Sequence, residues 1–256
     1  MSATAIEMPD TRTQVSAEEW QVREDLACLY RLVADYGWDD MLFTHLSARV
    51  PGPEHHFLLN PLGMMFEEVT ASSLVKVDAE GNKVLDTPFD INPAGFTIHS
   101  AVHLAREDAK CVMHLHTDDG VAVSAQEGGL LPITQHAMSV GEIAYHDYEG
   151  VALDLDERQR IVNDLGDGQF MILRNHGTLT VGGSCADAFM AMYYLERACT
   201  MQIKALAGGV PICQPPQGSA QKAAAQTRML FDGSVGPLAW TTLMRKMDRL
   251  DPSFRN

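Results

Sequence analysis

The chain has 256 residues, enough to bury a sizeable core without disulfide staples, and its 46% hydrophobic and 21% charged residues are ordinary for a globular protein. Nineteen basic against 34 acidic residues give a net charge of −15, which excludes nucleic acid and anionic membrane as main partners, because phosphate contacts need clustered Lys and Arg. No run approaches the roughly 18 apolar residues of a membrane span, and MSATAIEMPDTRTQ lacks the basic start and apolar core of a signal peptide, so the expected compartment is the cytoplasm.

Residues 1–16 are polar and aperiodic and read as a mobile arm. From 17 to 36 Trp20, Leu26, Leu29, Tyr30 and Val33 recur at helical spacing, Ser16 and Glu19 resemble a capping box, and Gly37 ends the helix. Strands are expected over 42–50 and 56–59, with Asn60-Pro-Leu-Gly63 as a turn. Residues 74–77 and 83–85 read as a hairpin around 78–82. Further helices are expected over 93–106, 117–126, 156–165 and 184–206, and strands over 110–116, 142–144 and 170–173. Residues 210–218 read as a linker, followed by two helices around 219–232 and 237–248. The division is therefore an arm (1–16), one α/β domain (17–209) and a helical extension (210–256). The five cysteines form no C-x-x-C pair and read as reduced thiols.

The chemistry lies in the ten histidines. In His114-Leu115-His116 the two imidazoles share one face of a strand and can reach one metal ion. His176, in Asn175-His176-Gly177, follows the apolar strand 170–173, and strand ends are where α/β proteins place ligands. Three imidazoles with an open position are the pattern of a catalytic metal site, zinc first, although Mn, Fe, Co and Ni also suit imidazole. Each triplet alone also fits a structural histidine, in a strand for the first and, more simply, in a turn for the second. Arg49 and Arg174 flank this region and could bind a carboxylate, and Arg49 could instead pair with an acidic side chain. Met64, Met65 and Phe66 could wall a pocket. His99 and His103 are one helical turn apart and read as packing residues.

Phe43-Thr-His-Leu-Ser-Ala-Arg49, Asn60-Pro-Leu-Gly63, His114-Leu-His116 and Asn175-His-Gly177, in this order, resemble the class II aldolase/adducin family over residues 18–209. The resemblance implies a three-layer α/β/α sandwich around a mostly antiparallel sheet. It also implies a C4-type homotetramer with metal sites between neighbouring subunits, the C-terminal tail packing toward a neighbour, and His114, His116 and His176 as metal ligands. Two departures stand out. The family's catalytic glutamate falls on Gly95, within Pro93-Ala-Gly95, and its phosphate loop, G-N-x-S, reads Thr44-His-Leu-Ser47. A sugar phosphate is therefore not the expected substrate. His45 could be a fourth ligand, a substrate donor or a structural residue. His136 falls near the family's catalytic tyrosine that crosses between subunits, with Tyr145 and Tyr148 as alternatives. Asn60 and Gly63 of the turn would contact substrate beside Arg49 and Arg174.

A divalent ion held by neutral imidazoles polarises a carbonyl and stabilises the enolate formed when an adjacent bond breaks. The expected function is a metal-dependent lyase acting on a small non-phosphorylated carbonyl or hydroxy acid, by retro-aldol cleavage or decarboxylation. The alternative is a non-catalytic adducin-like assembly module, which the loss at Gly95 allows. Against it, all three histidines are present and no basic tail is seen.

Overall fold

Seven strands make one sheet in the order β3-β2-β1-β4-β7-β6-β5. They are β1 (His45–Arg49), β2 (Phe57–Leu59), β3 (Val75–Val77), β4 (Cys111–Leu115), β5 (Ala144–His146), β6 (Phe170–Leu173) and β7 (Gly177–Gly182). Every pairing is antiparallel except β5 with β6. The computed structural model describes residues 10–150, 156–230 and 235–256. The helices are α1 (Ala17–Asp35), α2 (Pro93–Ala105), α3 (Asp118–Ser124), α4 (Gln135–Val140), α5 (Glu157–Leu165), α6 (Cys185–Leu206), α7 (Ser219–Leu230) and α8 (Gly236–Leu250).

Strand alternation sorts the central residues into two layers. Leu46 and Ala48 of β1, with Cys111, Met113 and Leu115 of β4, face Leu26, Leu29 and Tyr30 of α1 and Phe189 and Met192 of α6. Val112, Met171, Leu179 and Val181 face the other way, against Ile98 and Val102 of α2 and Ile161 and Leu165 of α5. Each fully buried Leu, Ile or Phe in these layers contributes about 1.5–3 kcal/mol. The result is the expected α/β/α sandwich.

Some expectations needed correction. The 83–85 strand is reduced to a single bridge, Val77 to Lys83. β7 was not anticipated, because Gly177 and Gly182 at its ends read as turn residues, and α4 was missed because it is short. β1 starts later than expected. A bridge between Asp40 and Phe43 precedes it, and Thr44 stands at φ +69°, outside strand geometry. Ser16 caps α1 by accepting from Glu19 N–H, but the Glu19 carboxylate pairs with Arg23 and Lys76 instead of closing the box. Within the expected arm, residues 1–9 lie outside the described residues, and Thr11 is buried and donates to the Ser72 carbonyl.

α8 packs on its own chain. Trp240, Leu243 and Met244 meet the α1–α6 layer, and the Trp240 indole N–H donates to Asp25 at 3.1 Å. The amides of Ala71 and Ser72 donate to the carbonyls of Phe254 and Asn256, at 2.8 Å each. Among the described residues, no helix is long and apolar enough to cross a membrane.

Candidate metal centre

β4 delivers His114, and His116 follows at its end; β7 begins one residue after His176. The ligand-capable atoms of these three residues lie within 4.8 Å of one another. Their rings are 4.7–4.8 Å apart. The Asn-His-Gly triplet has a steric reason. Asn175 takes a left-handed turn at φ +56°, and a Cβ at 177 would collide with the Leu115 carbonyl and stand 3.1 Å from the His116 ring.

The hydrogen bonds fix the tautomers. His114 Nδ1 lies 3.0 Å from the Thr178 carbonyl, which can only accept, so Nδ1 carries the proton and Nε2 a bare lone pair. His116 Nδ1 lies 3.1 Å from the Asp40 carboxylate, which in the neutral ring likewise leaves Nε2 bare. The two Nε2 atoms are 3.0 Å apart. Two lone pairs at that distance repel unless a cation stands between them, and a carboxylate or carbonyl behind each ring is the usual outer support of a metal-bound histidine. The residues present therefore fit a divalent ion. Burial, then the neighbouring His176 and His116, holds His114 well below the usual imidazole range, and burial brings His176 down to about 4, so both are neutral and ready to ligate. His114 is buried, whereas the His116 side chain is 24% exposed, which leaves the centre one open side. The exposed Tyr148 ring lies 6.2 Å from His176.

His45 pairs across the sheet with His114, and their rings stack at 6.1 Å. It is 4% exposed, yet neither ring nitrogen has a hydrogen-bond partner. Burial lowers its pKa to about 3. It is outside the three-residue ligand cluster and one ring away from it. A side chain at Gly95 would occupy the same space: a Cβ there would sit 2.8 Å from His45 Nε2 and closer still to Cδ2 and Cγ.

The other expected residues make the following contacts. Arg49 is at the far end of β1, where it donates to the His103 and Arg106 carbonyls and meets His55 Nδ1 at 2.9 Å. Arg174 donates to the Gln126 carbonyl and covers the Tyr145 ring at 4.1 Å. The Tyr145 hydroxyl accepts from Leu130 N–H, so this tyrosine supports a loop and does not face the histidines. Asn60 is buried, its Oδ1 3.0 Å from the Tyr30 hydroxyl, which in turn holds the Leu46 backbone next to His45. Gly63, at φ +97°, shapes the turn. Met64 and Phe66 belong to the core. His136 lies on α4 against Tyr194, ring to ring at 5.1 Å; among the described residues no hydrogen bond or ring contact joins it to the three histidines.

Sequence reasoning missed three supports. Asp40 had no motif around it. Ser47 bridges His99 and His103. Glu196 of α6, 2% exposed, accepts hydrogen bonds from Thr117 and Thr178, the residues next to His116 and two beyond His176. Burial raises its pKa to about 7. A lone glutamate in the middle of a helix reads as surface charge.

Comparison with known proteins agrees with this geometry. The family model "Class II Aldolase and Adducin N-terminal domain" matches residues 24–203. A Caulobacter vibrioides protein provisionally named an aldolase class 2 protein is 57% identical over 99% of both chains. Rat alpha-adducin is 41% identical over 90% of this chain, which spans 33% of that protein. The structure of L-fuculose 1-phosphate aldolase from Glaciozyma antarctica superposes with a TM-score of 0.82 at 28% identity, over 94% of each chain. With its sheet order, its three converging histidines and these relatives, the chain belongs to the class II aldolase/adducin family.

Proposed function

We propose that the protein is a divalent-metal-dependent lyase, with zinc as the leading metal, acting on a small non-phosphorylated carbonyl or hydroxy-acid substrate. The observation that supports it is the pair of bare Nε2 lone pairs on His114 and His116, 3.0 Å apart, with His176 completing the set. A divalent ion bound there supplies Lewis acidity toward a carbonyl oxygen. Asp40 and Thr178 orient the histidines, the His45 ring packs against that of His114, and proton transfer is assigned to Tyr148, whose ring lies 6.2 Å from His176. His136 enters only if a second copy brings it to the centre.

The departure from phosphate binding supports the non-phosphorylated class. A neutral, buried imidazole at 45 offers no charge to a phosphate. Retro-aldol cleavage and decarboxylation use the same polarised carbonyl. The test is an assay of carbon–carbon bond cleavage on hydroxy-keto and hydroxy-aryl acids, with L-fuculose 1-phosphate in parallel. Chelator-sensitive turnover of the acids, with the phosphate ester inert, is the expected outcome; preference for the phosphate ester contradicts it.

The alternative, an adducin-like assembly module, is favoured by the 41% identity to alpha-adducin and by the missing carboxylate at Gly95. A homotetramer in the cytoplasm fits either reading. Exposed apolar side chains such as Met41, Phe43, Met229 and Leu238 support self-association, and sedimentation tests it.

A further inference from the structure

α6 buries a carboxyl group that no step at the metal centre uses. Glu196 is 2% exposed, and burial raises its pKa to about 7, so the fold works against its charged form. Both its oxygens are nonetheless occupied. Oε1 accepts from the Thr178 hydroxyl at 2.7 Å, and Oε2 accepts from the Thr117 hydroxyl. The Thr117 oxygen accepts in turn from the Gly120 N–H at 3.1 Å, so its own hydrogen is free for Glu196. Gly120 leaves room for the three side chains to meet. A Cβ there would stand 2.6 Å from Thr117 Oγ1, 3.0 Å from Glu196 Oε1 and 3.1 Å from Thr178 Cγ2.

The two threonines belong to the segments that carry the three histidines. The β4–β7 ladder runs from the pair Cys111 and Gly182 to the pair Leu115 and Thr178. His114 lies inside it, opposite Leu179. His116 and His176 lie beyond its last pair, where strand pairing no longer sets their spacing. Thr117 directly follows His116, and Thr178 is two residues after His176. The Thr178 carbonyl also takes the His114 Nδ1–H at 3.0 Å. One carboxyl group of α6 therefore ties together the chain next to all three histidines.

We infer that Glu196 is a positioning residue for the metal centre: by bridging Thr117 and Thr178 it sets the spacing at which His116 and His176 converge on His114. The inference rests on the metal-centre reading and adds the tie that holds the ligand set together from the α6 side. A neutral amide can make the same bridge. Its oxygen accepts from Thr178, and its nitrogen donates to the second lone pair of the Thr117 oxygen. An apolar side chain of similar size leaves both hydroxyls without this partner.

The test compares the zinc affinity of the full-length native chain, Glu196→Gln and Glu196→Leu by competition with a chromophoric chelator. Glu196→Leu is expected to bind zinc about 10–100-fold more weakly, and Glu196→Gln to stay within about threefold of the native chain. Both variants remove the same buried charge, so an effect of the charge alone moves them together. Thr178→Val removes one bond from the strand side, keeps the Thr178 carbonyl, and is also expected to weaken binding; it replaces Glu196→Leu should that variant not fold. In the metal-free proteins, backbone amide hydrogen exchange over residues 116–120 and 175–178 is expected to be about tenfold faster in Glu196→Leu and unchanged in Glu196→Gln. Native zinc affinity in Glu196→Leu and Thr178→Val overturns the inference, and so does a Glu196→Gln as weak as Glu196→Leu. A native chain that takes up no zinc removes the metal-centre reading, and the exchange rates then decide the positioning role by themselves: equal rates in native and Glu196→Leu protein overturn it.

Discussion

The imidazole of His45 occupies the space that any side chain at residue 95 would need, and Gly95 is the reason it fits. The two positions are one steric unit, although 50 residues separate them. Gly95→Ala is therefore expected to destabilise the protein by about 1–3 kcal/mol, the usual cost of overpacking. In the background of His45→Ala the same change should cost much less, because the ring is gone. Denaturant midpoints of the two single variants and the double variant measure the coupling; additive costs would contradict the shared space.

Asp40 holds His116 by Nδ1 and so turns its Nε2 toward His114. Asp40→Asn should weaken metal affinity about 10–100-fold, with little effect on the metal-free fold. Competition with a chromophoric chelator reads the affinity. Unchanged affinity would mean that His116 is oriented by something else.

Burial holds five imidazoles neutral: His45 and His103 at about 3, His176 at about 4, and His99 and His114 well below 6.5. An unfolded chain protonates these residues near 6.5. Folded stability from them is therefore present above that pH and is lost as pH falls from 6.5 toward 3–4, at about 1.4 kcal/mol per pH unit for each proton taken up. Unfolding of the metal-free protein near pH 5 should absorb several protons. A flat stability profile between pH 6.5 and 4 would contradict neutral burial.

Glu196 works in the opposite sense. Its raised value, about 7 against 4.5, favours the protonated carboxyl in the fold. That contribution is complete below pH 4.5 and is lost as pH rises through 7, about 3 kcal/mol in all. Glu196→Gln should remove this dependence, so its stability relative to the native chain improves between pH 5 and pH 8. Thermal unfolding at the two pH values checks it; a constant difference would show that the carboxyl is not strained.

What was readable in the sequence was local. Alternation placed His114 and His116 on one face, helical spacing gave α1 and α6, and the ordered motifs gave the family. What was not readable depended on contacts between distant segments. Arg49 and Arg174 carry the charge of ligand-binding residues, but their guanidinium groups are used on backbone carbonyls. Asn60 reads as a turn residue at a pocket, and its bond to the buried Tyr30 hydroxyl depends on a segment 30 residues away. β7 was hidden by its terminal glycines, which are there because β4 and α6 approach too closely for a side chain. Tyr145 and Tyr148 are three residues apart and could not be ranked without the strand that turns one inward and leaves the other beside His176.

The measurement that bears most directly on the metal centre is the metal content of the protein purified without added metal, beside His114→Ala and His116→Ala. Close to one divalent ion per chain is expected in the native protein and none in either variant, with the fold retained by circular dichroism. Native protein without metal, even after incubation with zinc, manganese or cobalt, would contradict it and leave the assembly module as the reading of this fold.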